Sequence, residues 1–152
     1  MGRKKDIFDR LMELPGLRVF QPIYRKYREA LLYIFFGGLT FLVGIVTFWL
    51  FHIVVRMGAL AANIVSWAIA VMFAFLTNRI WVFEAHTKTV PEFFSQMWKF
   101  FGGRVATLVV EEVILFLFIT KLGMGSMAVK AAAQVVVIVL NYVISKLVIF
   151  KG

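Results

Sequence analysis

Four apolar runs, residues 31–55, 59–77, 100–119 and 129–148, each approach or exceed the roughly 20 residues that a helix needs to cross the hydrocarbon core of a bilayer. Within lipid the backbone must satisfy its own hydrogen bonds, which leaves helices or closed barrels. The runs show no strand-like alternation, so helices are expected. With 62% hydrophobic and 16% charged residues, the chain lies well beyond the roughly 45–50% apolar share of a soluble domain. The expected fold is all-α: an integral membrane bundle of four transmembrane helices built from two parallel helical-hairpin repeats, with an N-terminal interfacial amphipathic segment.

The charge pattern sets an expected orientation. Lys and Arg crowd the N-terminal segment (Arg3, Lys4, Lys5, Arg10, Arg18, Arg25, Lys26, Arg28) and return in the linker between the hairpins (Arg79, Lys88, Lys99) and in the tail (Lys146, Lys151). The two opposite turns carry only Arg56 and Lys121, with Lys130 just inside the fourth helix. By the positive-inside rule both termini and the central linker are cytoplasmic. The net charge of +9 then reads as topology and attraction to anionic headgroups, not as nucleic-acid binding. No small-residue cleavage site follows the first run, so no signal peptide is expected. Met1-Gly2 does not fit myristoylation, because that motif wants Ser or Thr where Asp6 stands. No cysteine is present, which excludes thiolate chemistry, and His52 and His86 lie too far apart in sequence to suggest a metal site.

Residues 1–30 read as a basic amphipathic segment on the cytoplasmic side. Residues 6–14 place Ile7, Phe8, Leu11 and Met12 on one helical face ahead of Pro15-Gly16, and residues 23–28 interleave Tyr24 and Tyr27 with cations. Residues 91–98, with Phe93, Phe94 and Trp98, suggest another interfacial turn or helix. Residues 31–151 form the membrane domain, with hairpins at 31–83 and 100–150. Phe35-Phe36-Gly37-Gly38 opens the first and Phe100-Phe101-Gly102-Gly103 the second; Asn78-Arg79 through Phe83 closes the first and Ser145-Lys146 through Phe150 the second. Both hairpins enter from the same side, so the repeat is parallel. Small residues, among them Gly37, Gly38, Gly44, Ala70, Ala74 and Gly103, are expected where helices approach closely.

Charge inside an apolar run is costly, roughly 2.5–3.5 kcal/mol at a helix centre, which makes it a mark of function. Glu111 and Glu112 sit in the middle of the third run. Arg104 and Thr107 precede Glu111 by seven and four residues, on the same helical face, so Arg104 is the expected partner of Glu111. Glu112 points about 100° away. Asn141 is expected at a similar depth on the fourth helix, and Asn78 nearer the cytoplasmic surface. Such amides and carboxylates suit either interhelical hydrogen bonds or the hydroxyls of a ligand. No catalytic constellation is visible, because one helix aims the two glutamates apart. A non-enzyme without cofactor or metal is expected.

In their order and spacing, Lys26-Tyr27-Arg28-Glu29 leading into residues 33–40, Ala62-Asn63, Phe73-Ala74-Phe75 before Asn78-Arg79, Val82-Phe83-Glu84, Arg104 with Thr107 and Glu111, and Asn141-Tyr142 before Ser145-Lys146 resemble the GtrA-like family of four-helix membrane proteins. The likeness is to its GtcA-like branch, associated with glycosylation of cell-wall polymers, and covers residues 26–151; Gly44 departs from it, standing where that branch often has Asn. The resemblance implies translocation (flipping) of a polyprenyl-phosphate-linked monosaccharide across the bacterial cytoplasmic membrane, for glycosylation of a polymer such as teichoic acid. It implies a sugar-lipid substrate and a membrane glycosyltransferase as partner; four helices make a small wall for a sugar-lipid path, so assembly with that transferase or with a second copy of the chain is a further expectation.

Under that reading Arg79 and Lys146 at helix ends bind phosphate, Arg as a fork and Lys as a point charge. Arg104 holds the phosphate midway or neutralises Glu111, and Asn78, Thr107, Glu111, Glu112 and Asn141 complete the substrate-binding set. Two alternatives stand beside it: a non-transporting subunit that recruits or stabilises a glycosyltransferase, and a small proton-coupled exporter of cations, whose substrate Arg104 would repel.

Overall fold

The computed structural model describes residues 5–151, except for the side chains of Leu60 and Met127. Arg3 and Lys4 of the basic cluster, and the Met1-Gly2 start, lie outside the described residues. Among the described residues all regular structure is helical: α1 (Ile7–Leu11), a 3-10 turn (Arg18–Phe20), α2 (Gln21–Trp49), α3 (Ala59–Thr77), α4 (Val90–Leu115) and α5 (Ser126–Ile144). Each long helix runs on into a wider π-helical end, at Leu50–Val54, Asn78–Val82, Phe116–Lys121 and Ser145–Ile149. Such turns are rare and favour functional positions.

Among the described residues three helices are long and apolar enough to cross a membrane, Arg18–Val54, Ala61–Val82 and Ala128–Ile149. α4 is as long, but Arg104, Glu111 and Glu112 interrupt its apolar stretch. Residues 91–98 are not a separate interfacial element: they are the first turns of α4, which Thr89 caps by accepting the Glu92 N–H while Pro91 occupies the first turn. The longest helix bends at Tyr27, whose φ of −117° and ψ of 19° leave the helical region, so the basic segment before it diverges from the apolar part.

α2 packs on α3 and α4 on α5. α3 buries Ala62, Ser66, Ala70 and Ala74, and Gly44 lets α2 come close, a Cβ there lying 3.7 Å from that of Ala70. Gly103 permits the corresponding approach of α4 to α5, since an added Cβ would meet Ile144 at 3.2 Å. Gly37 and Gly38 differ from expectation: a Cβ at either meets nothing within 4 Å, so they border open space instead of a helix contact.

The two helix pairs are joined by rings at the end where α3 and α5 finish. Phe75 lies 5.6 Å from Phe100 and 5.9 Å from Phe150, Phe83 5.2 Å from Phe150, and Tyr33 5.3 Å from Tyr142, centroid to centroid. Each such pair contributes roughly 0.5–1.5 kcal/mol, which matters where lipid leaves little hydrophobic drive between helices. The two terminations also match in geometry, Phe83 N–H donating to Asn78 O at 2.8 Å and Phe150 N–H to Ser145 O at 2.9 Å. Glu84 follows in the left-handed region, with φ 47°, where a helix ordinarily ends on glycine.

The amphipathic start is shorter than its pattern suggested. α1 is held by a reciprocal cap between Asp6 and Asp9, and Phe8 packs 5.8 Å from Phe35 and 5.6 Å from Phe36. Ile7 and Leu11 stay exposed, so the expected stripe divides between a docked ring and an outward face. Arg28 ties this segment down by pairing with Asp6 and, at 3.0 Å, with Glu84. Lys5 pairs with Glu13 and holds that carboxyl below its ordinary range.

Candidate functional site

Glu111 is buried, and its carboxylate is held from α5. Lys130 Nζ and Gln134 Nε2 both donate to its Oε1, the latter at 2.6 Å. Arg104 is therefore not its partner, contrary to the expectation from spacing. Seven residues along a helix rise about 10 Å, whereas α5 brings an ammonium and an amide alongside. One turn along the same face, Thr107 donates to Asn141 Oδ1 at 2.9 Å, so Asn141, expected at the depth of Glu111, makes its α4–α5 contact one turn away from that residue. With one acceptor site of its carbonyl oxygen used by Thr107, the Asn141 amide keeps its two N–H donors for another partner.

Arg104 faces the other way. Its guanidinium lies 4.8 Å from the centre of the Phe100 ring and faces the Tyr33 hydroxyl, and among the described residues it makes no salt bridge. It borders two adjoining cavities. One, of about 460 Å³, lies between α2 and α5: Tyr33, Gly37, Gly38, Thr40 and Phe41 line one side, Gln134, Val137, Ile138 and Asn141 the other, with Ala74, Asn78 and Arg104 between. The second, of about 520 Å³, runs between α2 and α3 past Gly44, Phe48, Asn63, Ser66, Trp67 and Ala70, and shares Thr40, Phe41, Ala74 and Arg104 with the first. Gly37 and Gly38 thus widen the α2 wall of the first cavity.

Asn78 is 3% exposed, and its buried Oδ1 has no hydrogen-bond partner. A buried acceptor left unsatisfied costs about 1–3 kcal/mol, so the place suits a ligand that brings a donor.

The other expected site residues fall elsewhere. Arg79 is committed to the start of α4: its guanidinium donates to Thr87 at 2.6 Å and to Gln96 at 3.3 Å and lies 5.1 Å from the Phe93 ring. Lys146 sits at the aromatic end, 2.8 Å from Glu29. Glu112 is exposed on the outer side of α4 and forms no ion pair among the described residues. His52 is occupied by the Met57 carbonyl at 2.9 Å and stacks on Phe48, and no group of potential metal ligands occurs among the described residues.

Sequence reasoning missed Lys130 as a partner and Gln134 altogether. Lys130 passed as a charge near a helix end, yet Lys130, Gln134, Asn141 and Ser145 recur at intervals of four, seven and four residues, which marks one polar face of α5. That stripe was the available signal.

Over residues 32–150 the chain matches the family described as GtrA/DPMS, transmembrane domain. The chain belongs to this family. It is 40% identical, over 152 residues covering 99% of this chain and 98% of the relative, to a protein of Listeria innocua named cell wall teichoic acid glycosylation protein GtcA. A protein of the same name from Listeria monocytogenes is 40% identical over 83% of this chain and 87% of its own length. YwcD of Bacillus subtilis, described as an uncharacterized membrane protein, is 28% identical over 79% of this chain and 94% of that protein. As a GtrA/DPMS transmembrane domain with apolar helices, the chain is a membrane protein, and the site just described lies within the matched region.

Proposed function

We propose that the protein carries a polyprenyl-phosphate-linked monosaccharide across the bacterial cytoplasmic membrane, for glycosylation of a cell-wall polymer such as teichoic acid. In this reading α2 to α5 all cross the bilayer as two parallel hairpins, and both termini and the central linker face the cytoplasm.

The observation that carries the reading is Arg104, a cation without an acidic partner among the described residues, placed where the α2–α5 cavity and the α2–α3 cavity adjoin. An anionic phosphate supplies the missing charge. Asn78 Oδ1 accepts from a sugar hydroxyl, the Asn141 and Gln134 amides donate, and the apolar edges Ile34, Phe41, Val137 and Ile138 admit a polyprenyl chain sideways from the membrane. Each requirement of a sugar phospholipid then has its counterpart within one cavity. No bond is made or broken, so the role is carriage and not catalysis. The names of the Listeria relatives point to the same polymer chemistry.

Glu112, exposed on α4 without an ion-pair partner among the described residues, favours assembly with a membrane glycosyltransferase or a second copy, because a carboxyl facing lipid gains from any donor brought to it.

Reconstitution into liposomes containing a defined polyprenyl-phosphate monosaccharide tests the proposal. Transbilayer movement is expected only with protein present, and loss of that movement with Arg104→Ala. Equal movement in empty and protein-containing liposomes would sink it.

A further inference from the structure

The slot between α2 and α5 is bridged at the aromatic end by three polar side chains. Glu29 lies one turn before Tyr33 on α2, and Lys146 one turn beyond Tyr142 on the π-helical end of α5. Lys146 Nζ is 2.8 Å from Glu29 Oε1 and 3.4 Å from the Tyr142 hydroxyl, and that hydroxyl donates to the same Glu29 oxygen. The Tyr142 ring meets Tyr33 edge-on at 5.3 Å, and Tyr33 in turn faces Arg104. A chain of contacts therefore runs from a surface ammonium to the guanidinium bordering the cavity.

We propose that Glu29 stands in for the substrate's phosphate. Its carboxylate holds Lys146 and Tyr142 while the slot is empty, and the phosphate of an incoming lipid displaces it, which releases α2 from α5 at the mouth of the cavity. The inference rests on reading that cavity as a lipid-phosphate path, and it adds the entry step and the residue that controls it.

Charge and geometry both support the exchange. A phosphate presents anionic acceptor oxygens like those of Glu29, and it suits the same two donors, an ammonium and a phenol. The side chains of Lys146 and Glu29 are 47% and 34% exposed, so an anion reaches them from outside, and a pair so placed is weak enough to exchange. The Glu111–Lys130 pair, with its carboxylate buried and a further amide on the same oxygen, is not. Arg25 and Lys26, both exposed and bordering a cleft with Glu29, add positive potential that draws an anion to this end.

Binding of a polyprenyl phosphate to the protein in lipid nanodiscs, with the matching polyprenol as the phosphate-free control, tests the proposal. Glu29→Gln is expected to bind the polyprenyl phosphate about two- to five-fold more tightly, the range that corresponds to a half-exposed ion pair, and the polyprenol unchanged. The double variant Glu29→Gln with Lys146→Gln keeps a neutral bridge of similar shape, so it stays informative if the single variant is poorly folded; it is expected to bind the polyprenyl phosphate more weakly than wild type. Unchanged or weaker binding by Glu29→Gln, or a double variant that binds as tightly as wild type, overturns the role of Glu29. Inorganic phosphate that competes at concentrations comparable to the lipid overturns the lipid as the source of the phosphate. Failure of wild type and variants alike to bind any polyprenyl phosphate overturns the transport reading as well, whereas wild-type binding with no gain in Glu29→Gln overturns the stand-in alone.

Discussion

Lys130 on α5 holds the carboxylate of Glu111 on α4, and Arg104, two turns along α4, is left beside the cavity without an acidic partner among the described residues. The pairing redistributes the roles expected of this charged segment. Glu111 is satisfied by an ammonium and an amide from the neighbouring helix and serves the α4–α5 contact. Among the described residues Arg104 has an aromatic face and a phenol beside it, contacts that leave its charge uncompensated.

Arg104 should therefore matter more to ligand than to fold. Arg104→Ala is expected to leave the amount of folded protein near wild type and to weaken binding of a polyprenyl-phosphate sugar at least about tenfold, the loss of one charge-assisted contact of roughly 1.5–3 kcal/mol. Arg104→Lys should recover part of that loss, because it restores the charge but not the fork. Binding isotherms in nanodiscs check both, and wild-type affinity in Arg104→Ala would remove the residue from the site.

The Glu111–Lys130 pair should behave in the opposite way. Lys130→Met leaves a buried carboxylate with Gln134 as its remaining partner and is expected to lower the thermal midpoint in detergent by several degrees, a cost of about 1–3 kcal/mol. Adding Glu111→Gln removes the orphaned charge and is expected to recover most of the midpoint. A double variant no better than Lys130→Met alone would show that Lys130 acts through something other than this carboxylate.

The helices were legible in the sequence because lipid allows so few solutions: runs of about 20 apolar residues had to be helices. The buried polar residues were conspicuous one at a time, since Asn78, Arg104, Glu111 and Asn141 each stand out in an apolar context. Their pairings were not. Spacing along one helix ranks Arg104 as the neighbour of Glu111, but the distance across to α5 is set by packing around Gly103 and Ile144, which no periodicity within α4 encodes. Arg79 misled for a related reason, as a cation at a helix end looks free until the linker folds back on it.

The orientation proposed from charge can be tested directly, because the chain has no native cysteine. Single cysteines at Lys88, in the central linker, and Gly58, in the turn before α3, are both exposed positions. An impermeant maleimide applied to intact cells should label Gly58→Cys and spare Lys88→Cys until the membrane is opened. Labelling of Lys88→Cys from outside would invert the topology and with it the cytoplasmic placement of the Glu29–Lys146 bridge.

Asn78 offers a case in which ligand binding and stability separate. Its buried Oδ1 has no partner, so Asn78→Ala removes an unsatisfied acceptor and is expected to leave the thermal midpoint unchanged or slightly raised. Binding of the sugar phospholipid is expected to weaken several-fold, while the sugar-free polyprenyl phosphate binds as before, because the amide is assigned to a hydroxyl and not to the phosphate. Equal loss for the two lipids would reassign Asn78 to the phosphate.

Arg79 carries the opposite expectation from the one its position in the sequence suggested. Its guanidinium bonds Thr87 and Gln96 and lies against Phe93, which fastens the end of α3 to the linker and to the first turns of α4. Arg79→Ala removes two hydrogen bonds and a cation–π contact, each worth roughly 0.5–1.5 kcal/mol net at a partly exposed site. The expected result is a thermal midpoint lowered by several degrees and faster proteolysis in residues 84–90. Arg79→Lys keeps the charge but cannot reach Thr87 and Gln96 as a fork, so it should be nearly as unstable as alanine. Phosphate capture by charge alone predicts the reverse pattern: lysine close to wild type in lipid binding, alanine defective, and neither variant destabilised. Measuring stability and lipid affinity on the same two proteins separates a brace from a phosphate ligand at this position.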